Sequence, residues 1–87
     1  MTKLVNVRVR YFASLREALG PCDSLALDAE ATVASVRDTL IARSPVHAQA
    51  LARGRAVRAA LNQTLCDEAA AVQDGAEVAF FPPVTGG

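Results

Sequence analysis

Leu4-Val5-Asn6-Val7-Arg8-Val9-Arg10-Tyr11 decides how the rest of the chain is read. Val5, Val7, Val9 and Tyr11 point one way; Leu4, Asn6, Arg8, Arg10 and, one step on, Phe12 point the other. Period-two alternation of this kind is a strand with one buried face. Ala76 to Phe81 repeats it near the far end of the chain, with Val78 and Phe80 on one face and Glu77, Ala79 and Phe81 on the other. If the two strands are parallel neighbours and Val78 and Phe80 cover the core, Phe12 and Phe81 meet at one end of the open face. Arg8 then lies near Glu77 at the other end. Two exposed aromatics so placed would form a docking patch. The alternative is that loops or a short helix cover both rings.

Between these strands the pattern changes several times. Ala13 to Leu19 is a short helix ended by Gly20-Pro21, and Asp23 to Asp28, with Leu25 and Leu27 apolar, is a hairpin partner for the first strand. Thr32 is an N-cap for a helix whose Val33, Val36, Leu40 and Ile41 fall on one stripe. Ser44-Pro45 stops that helix, because the residue before proline is pushed out of the α region. A shorter helical piece follows over Val46 to Arg53, with Gly54 as a left-handed cap. Val57 to Leu61 is a strand, Asn62-Gln63 a turn and Thr64 to Cys66 a short strand. Asp67 to Val72 is loop, and Asp74-Gly75 turns the chain into the last strand. The order fits an α+β arrangement: a mixed sheet packed on one principal helix, its first and last strands side by side in the centre.

With 87 residues the chain forms one small domain, for which an apolar fraction of 52% supplies a modest core. Nine basic and nine acidic residues cancel, so bulk charge argues for neither a nucleic acid nor a membrane surface as partner. No apolar run approaches the roughly 18 residues of a membrane span, and Lys3 leads into a strand pattern rather than a signal peptide. The expectation is a soluble cytoplasmic protein. Cys22 and Cys66 lie far apart with no Cys-x-x-Cys motif, so they are expected to be small buried or half-buried apolar residues and not metal ligands. There is no glycine-rich P-loop and no Ser/His/Asp set. His47, the single imidazole, is expected on or near the surface with nothing nearby to complete a catalytic or metal site, and Arg53, Arg55 and Arg58 as a solvated edge.

The chain ends on Phe80-Phe81-Pro82-Pro83-Val84-Thr85-Gly86-Gly87. Pro82 and Pro83 lack backbone N–H groups, so they end a hydrogen-bonded ladder and favour an extended chain. Gly86 and Gly87 have no Cβ, which makes the end as thin as a polypeptide can be. At roughly 3.3–3.6 Å per residue, the stretch from Pro82 to Gly87 reaches about 20 Å. The natural division is a domain over residues 1–81 and an extended tail over 82–87, able to carry a terminal carboxylate into another protein's cleft.

Asn62-Gln63-Thr64-Leu65, Asp74-Gly75 and the run Glu77-Val78-Ala79-Phe80-Phe81-Pro82-Pro83-Val84-Thr85-Gly86-Gly87 together closely resemble the small, sulfur-carrying subunit family of molybdopterin synthase. Tyr11-Phe12-Ala13-Ser14-Leu15-Arg16-Glu17 is similar to that family's first strand-to-helix junction. The resemblance implies a ubiquitin-like β-grasp fold and a role as a non-catalytic, sulfur-donating subunit. It implies that a ubiquitin-activating-like enzyme, using ATP, adenylates Gly87, which then becomes a thiocarboxylate. The tail would next enter the large synthase subunit and pass its sulfur to cyclic pyranopterin monophosphate, within a heterotetramer of two large and two small subunits. Residue by residue, it implies that Gly87 carries the sulfur beside Gly86, that Phe12, Leu65 and Phe81 are apolar contacts with Arg16 a basic one, and that Pro82, Pro83, Val84 and Thr85 line the way in. It implies no stably bound cofactor and no metal. Two other uses of such an end stay open: a protein modifier joined through Gly87 to lysines, and a sulfur carrier for another pathway such as the thiazole of thiamin. Phe-Phe-Pro-Pro-Val favours the molybdopterin branch. A plain binding module with an incidental tail is a further possibility.

Overall fold

The computed structural model describes residues 3–83. Five strands and three helices follow one another as β1 (Leu4–Tyr11), α1 (Ala13–Leu19), β2 (Cys22–Asp28), α2 (Val33–Ile41), α3 (Pro45–Leu51), β3 (Arg58–Leu61), β4 (Thr64–Cys66) and β5 (Ala76–Phe81). The strands form one mixed sheet in the order β2-β1-β5-β3-β4. Only the central pair, β1 and β5, is parallel, with Val7 opposite Ala76 and Tyr11 opposite Phe80. The α+β expectation with first and last strands adjacent is met, and the sheet is the β-grasp that the family resemblance implied.

One face of the sheet carries the core. Val5, Val7, Val9 and Tyr11 of β1, Val78 and Phe80 of β5 and Ala59 of β3 are buried against Leu15 of α1, Val33, Val36 and Leu40 of α2, and Ala50 and Leu51 of α3. The helices therefore cover the face that alternation assigned to the interior, and among the described residues no helix lies over the opposite face. Thr32 caps α2 as expected, in a reciprocal box: its Oγ1 accepts the Ser35 N–H (3.3 Å) and Ser35 Oγ accepts the Thr32 N–H (3.1 Å).

Two expectations about α3 need correction. Ser44-Pro45 separates α2 from α3, but it also starts α3: Pro45 opens the helix, and the extended Ser44 accepts the His47 N–H at its Oγ (3.1 Å). Gly54 is not a left-handed cap; α3 ends at Leu51 and the following Ala52 is extended (φ −51°, ψ 145°). The reason is Arg37, buried on α2 at 3% exposure. Its guanidinium donates to the carbonyls of Leu51 (2.8 Å), Ala52 (2.7 Å) and Arg55 (3.2 Å), which a glycine-centred turn would otherwise help to satisfy.

The segment Asp67 to Val72 also has a definite path. Ala71 forms a bridge with Thr32, the Glu68 and Ala70 carbonyls accept the free N–H groups of Ala34 and Val33, and Val72 plugs the core. This loop thereby supplies acceptors to the first turn of α2.

Candidate docking face and its supporting network

The parallel register of β1 and β5 fixes what the open face presents. Arg8 is opposite Glu77 and Arg10 opposite Ala79. The pairing of Tyr11 with Phe80 then carries Phe12 alongside Phe81, and the Phe12 N–H donates to the Phe80 carbonyl (3.1 Å). Phe12 is 38% exposed and Phe81 half-buried, so the short helix does not cover this pair. Across the remaining strands Ala79 faces Ala60 and Ala60 faces Leu65, which is 58% exposed. Two alanines thus make a low floor between Leu65 and the phenylalanines. From β4 to β1 the patch spans three strand spacings, about 14 Å.

The turns that hold this face have local causes. Asn62 and Gln63 both adopt positive φ (49° and 70°), the two-residue hairpin conformation that asparagine tolerates well. Asn62 Oδ1 also accepts the Glu77 N–H (2.9 Å), tying the β3–β4 turn to β5 and setting Leu65 on its strand. Gly75, at φ 83°, lets the chain turn into β5, with its N–H donating to the Asn6 carbonyl (2.7 Å).

Of the residues singled out in the sequence, the structure brings Phe12, Leu65 and Phe81 to one face of the sheet, and Pro82 and Pro83, both half-buried, follow directly from β5. Arg16 is exposed in the last turn of α1, the helix that leaves from Phe12. Val84, Thr85, Gly86 and Gly87 lie outside the described residues. Arg10, Ala60 and Ala79 were not singled out as contacts, although their parity with Phe12 and Phe81 was readable. The Arg10 guanidinium sits over the Phe12 ring (5.4 Å to its centroid) and 4.0 Å from Glu77 Oε2.

Behind the face lies a polar network that the sequence did not disclose. Asp23 Oδ2 accepts the Tyr11 hydroxyl (2.8 Å) and pairs with His47 Nε2 (2.9 Å), Asp23 Oδ1 pairs with Arg43 (3.3 Å), and Ser44 Oγ meets His47 Nδ1 (2.7 Å). The expectation that no Ser/His/Asp set exists and that His47 stands alone is therefore corrected. Three separated segments converge because β2 starts beside the α2–α3 junction. The set is a brace, not a nucleophile: Ser44 is engaged as the cap of α3, and the serine and aspartate sit on the opposite nitrogens from those of a serine-hydrolase triad. Burial alone would raise the Asp23 carboxyl, but hydrogen bonds from His47 and Tyr11 and the charge of Arg43 outweigh it and hold Asp23 below the usual carboxylate range. Burial, then the hydrogen bond to Asp23 and its negative charge, push the Tyr11 hydroxyl well up.

Arg53, Arg55 and Arg58 are all exposed, as expected of a solvated edge, and Arg53 in addition pairs with Asp38 (2.7 Å) and Glu68 and donates to the Ala34 carbonyl (3.2 Å). Cys22 is exposed, contrary to expectation, because it opens an edge strand on the open-face parity opposite Arg10. Cys66 is half-buried as expected, and burial, with Asp67 nearby, pushes its thiol up. Among the described residues no three His, Cys, Asp or Glu side chains gather to hold a metal ion, and no helix is long and apolar enough to cross a membrane.

A mixed sheet grasping its helices, with an aromatic-rimmed open face where its last strand ends, defines a ubiquitin-like β-grasp domain. The chain belongs to the ThiS family, whose sequence profile matches residues 9–87. It is 43% identical over 82 residues to the molybdopterin synthase sulfur carrier subunit of Haemophilus influenzae, and 44% identical over 82 residues to that of Escherichia coli. Each alignment covers 93% of this chain and 99% of the relative. The resemblance drawn from the closing residues is confirmed. Among solved structures, SAMP1 from Haloferax volcanii superimposes with a TM-score of 0.77 at 26% identity, over 94% of this chain and 99% of that one. A chain of the protein–protein complex of subunits 1 and 2 of molybdopterin-converting factor from Helicobacter pylori does so with a TM-score of 0.61 at 25% identity, over 95% of this chain and 100% of that one.

Proposed function

We propose that this chain is the sulfur-carrying subunit of a molybdopterin synthase, with the carboxylate of Gly87 as the reacting group. An α-carboxyl has a pKa of about 3.3–3.7, so it is ionised near neutral pH and resists attack by a sulfur nucleophile. Activation removes that resistance. A partner enzyme joins the carboxylate to the AMP of ATP, releasing pyrophosphate, and a sulfur donor then displaces AMP to leave a thiocarboxylate. A large subunit receives the tail, and the sulfur passes to cyclic pyranopterin monophosphate. The partners supply the ATP site and the catalytic groups; this chain supplies the carrier and the docking face.

The observation that carries the reading is the placement of Phe12, Phe81 and Leu65 around an alanine floor at the end of the sheet from which the chain continues into Pro82 and Pro83. The 43–44% identity to sulfur carrier subunits supports the chemistry, and the complex containing a similar chain from Helicobacter pylori supports a large-subunit partner. The likeness to SAMP1, a small archaeal modifier protein, favours a second reading, in which Gly87 is joined to lysines of other proteins.

Intact mass measurement of the C-terminal peptide, after co-expression with an activating enzyme and a sulfur source, separates the two. Replacement of one oxygen by sulfur is the expected result. Isopeptide-linked ladders without any thiocarboxylate would establish the modifier reading instead.

A further inference from the structure

The basic charge of the open face gathers at its aromatic end. Arg10, beside Glu77, and Arg58 stand there, while Arg8 lies further along β1 toward Asp28 and toward Asp74, which accepts hydrogen bonds from Asn6. Three of the chain's acids are committed on the helix side: Asp23 to Arg43 and His47, Asp38 to Arg53, and Glu68 to Arg37 and Arg53. Among the described residues neither Arg8 nor Arg58 has an ion-pair partner. Arg58 is the cross-strand neighbour of Phe81, and Arg10 lies over Phe12, so an exposed guanidinium stands beside each aromatic of the patch.

We propose that Arg10 and Arg58 form a charge filter on the docking face, selecting a partner whose apolar hollow is rimmed with carboxylates. This rests on the reading of the same face as the one that meets the large subunit. The argument is charge complementarity. A guanidinium nearly half exposed and 4.0 Å from Glu77 is only loosely held. Stacking on Phe12 nevertheless keeps it oriented, so it can exchange Glu77 for a carboxylate of the partner with little rearrangement. Among the described residues Arg58 has no ion pair to give up. Opposite charges at the rim speed encounter and exclude partners with a basic rim, and the apolar centre supplies the holding energy.

The test is titration of purified large synthase subunit with the full-length chain at low and high salt. For the native sequence, affinity is expected to fall about tenfold as ionic strength rises from about 0.03 to 0.3 M. The double variant Arg10→Gln/Arg58→Gln should bind about tenfold more weakly at low salt and lose most of that salt dependence. Arg10→Lys/Arg58→Lys should retain it. Both side chains face solvent, so matched melting curves check that the fold is intact. An unchanged salt slope in the glutamine variant, with Phe81→Ala still weakening binding, overturns the charge filter and leaves the docking reading standing. Absence of any binding by the native chain overturns the docking reading, and the filter with it.

Discussion

Phe81 shows how much one residue's parity decides. It follows Phe80, which is buried at 1% exposure in the core, yet its own side chain belongs to the opposite face because successive Cβ atoms of a strand alternate. Half-buried beside Phe12 and cross-strand from Arg58, it has the size and place of an interfacial anchor. Phe81→Ala is expected to weaken association with the large subunit by about 2 kcal/mol, roughly 30-fold in Kd, while the melting temperature moves little. Calorimetric titration checks this, and an unchanged Kd would place the ring outside the contact. Arg37 is the contrasting case. Its position in the stripe Val33, Val36, Arg37, Leu40 was visible, but nothing local says that a charge in an apolar stripe will find three carbonyls and Glu68. Arg37→Met should cost about 3 kcal/mol, because it strands those carbonyls and uncouples Glu68. Arg53→Met, at a half-exposed pair, should cost less than about 1 kcal/mol. Denaturant unfolding of the two variants gives the comparison, and equal losses would refute the assignment.

At the scale of elements, β1 and β2 are joined to α3 through Asp23, which holds Tyr11, Arg43 and His47 at once. Glu68 does the same for α2 and the loop after α3, and it too lies below the usual carboxylate range: burial would raise it, but hydrogen bonds from Arg53 and Arg37 prevail. Since both carboxyls bind protons less readily folded than unfolded, their stabilisation is complete above the ordinary carboxylate range, about pH 4. It is lost as pH falls through the lower folded values. The melting temperature should therefore drop steeply below about pH 4, and Asp23→Asn should flatten that drop while lowering stability at neutral pH. Melting curves from pH 7 to pH 3 test it; a variant that falls as steeply as the native chain would show that Asp23 carries none of the dependence. Tyr11 also links the network to the strand end from which Phe12 emerges, so the brace and the docking face share one element.

For the whole molecule, the last strand, β5, ends at Phe81, and Gly87, proposed to carry the chemistry, follows six residues later in the sequence. Deleting Gly87 should leave the melting curve unchanged and abolish thiocarboxylate formation. Loss of stability, or a thiocarboxylate that still forms, would contradict the role given to that residue. The sheet order explains the economy of the arrangement: placing β5 in the centre, parallel to β1, buries the strand that leads into the tail and so anchors its root on the most protected part of the sheet.

The order of the elements, the α+β class, the N-cap of α2 and the two faces of β1 and β5 were determined by the sequence, because strand alternation, capping residues and turn glycines act over a few neighbours. The end of α3 was not, because distant Arg37 satisfies its carbonyls. The exposure of Phe12, the burial of Arg37 and the meeting of Tyr11, Asp23, Ser44 and His47 were decided only by the tertiary structure. Each depends on groups far apart in the chain, whose approach is set by how helices cross the sheet and not by any local preference.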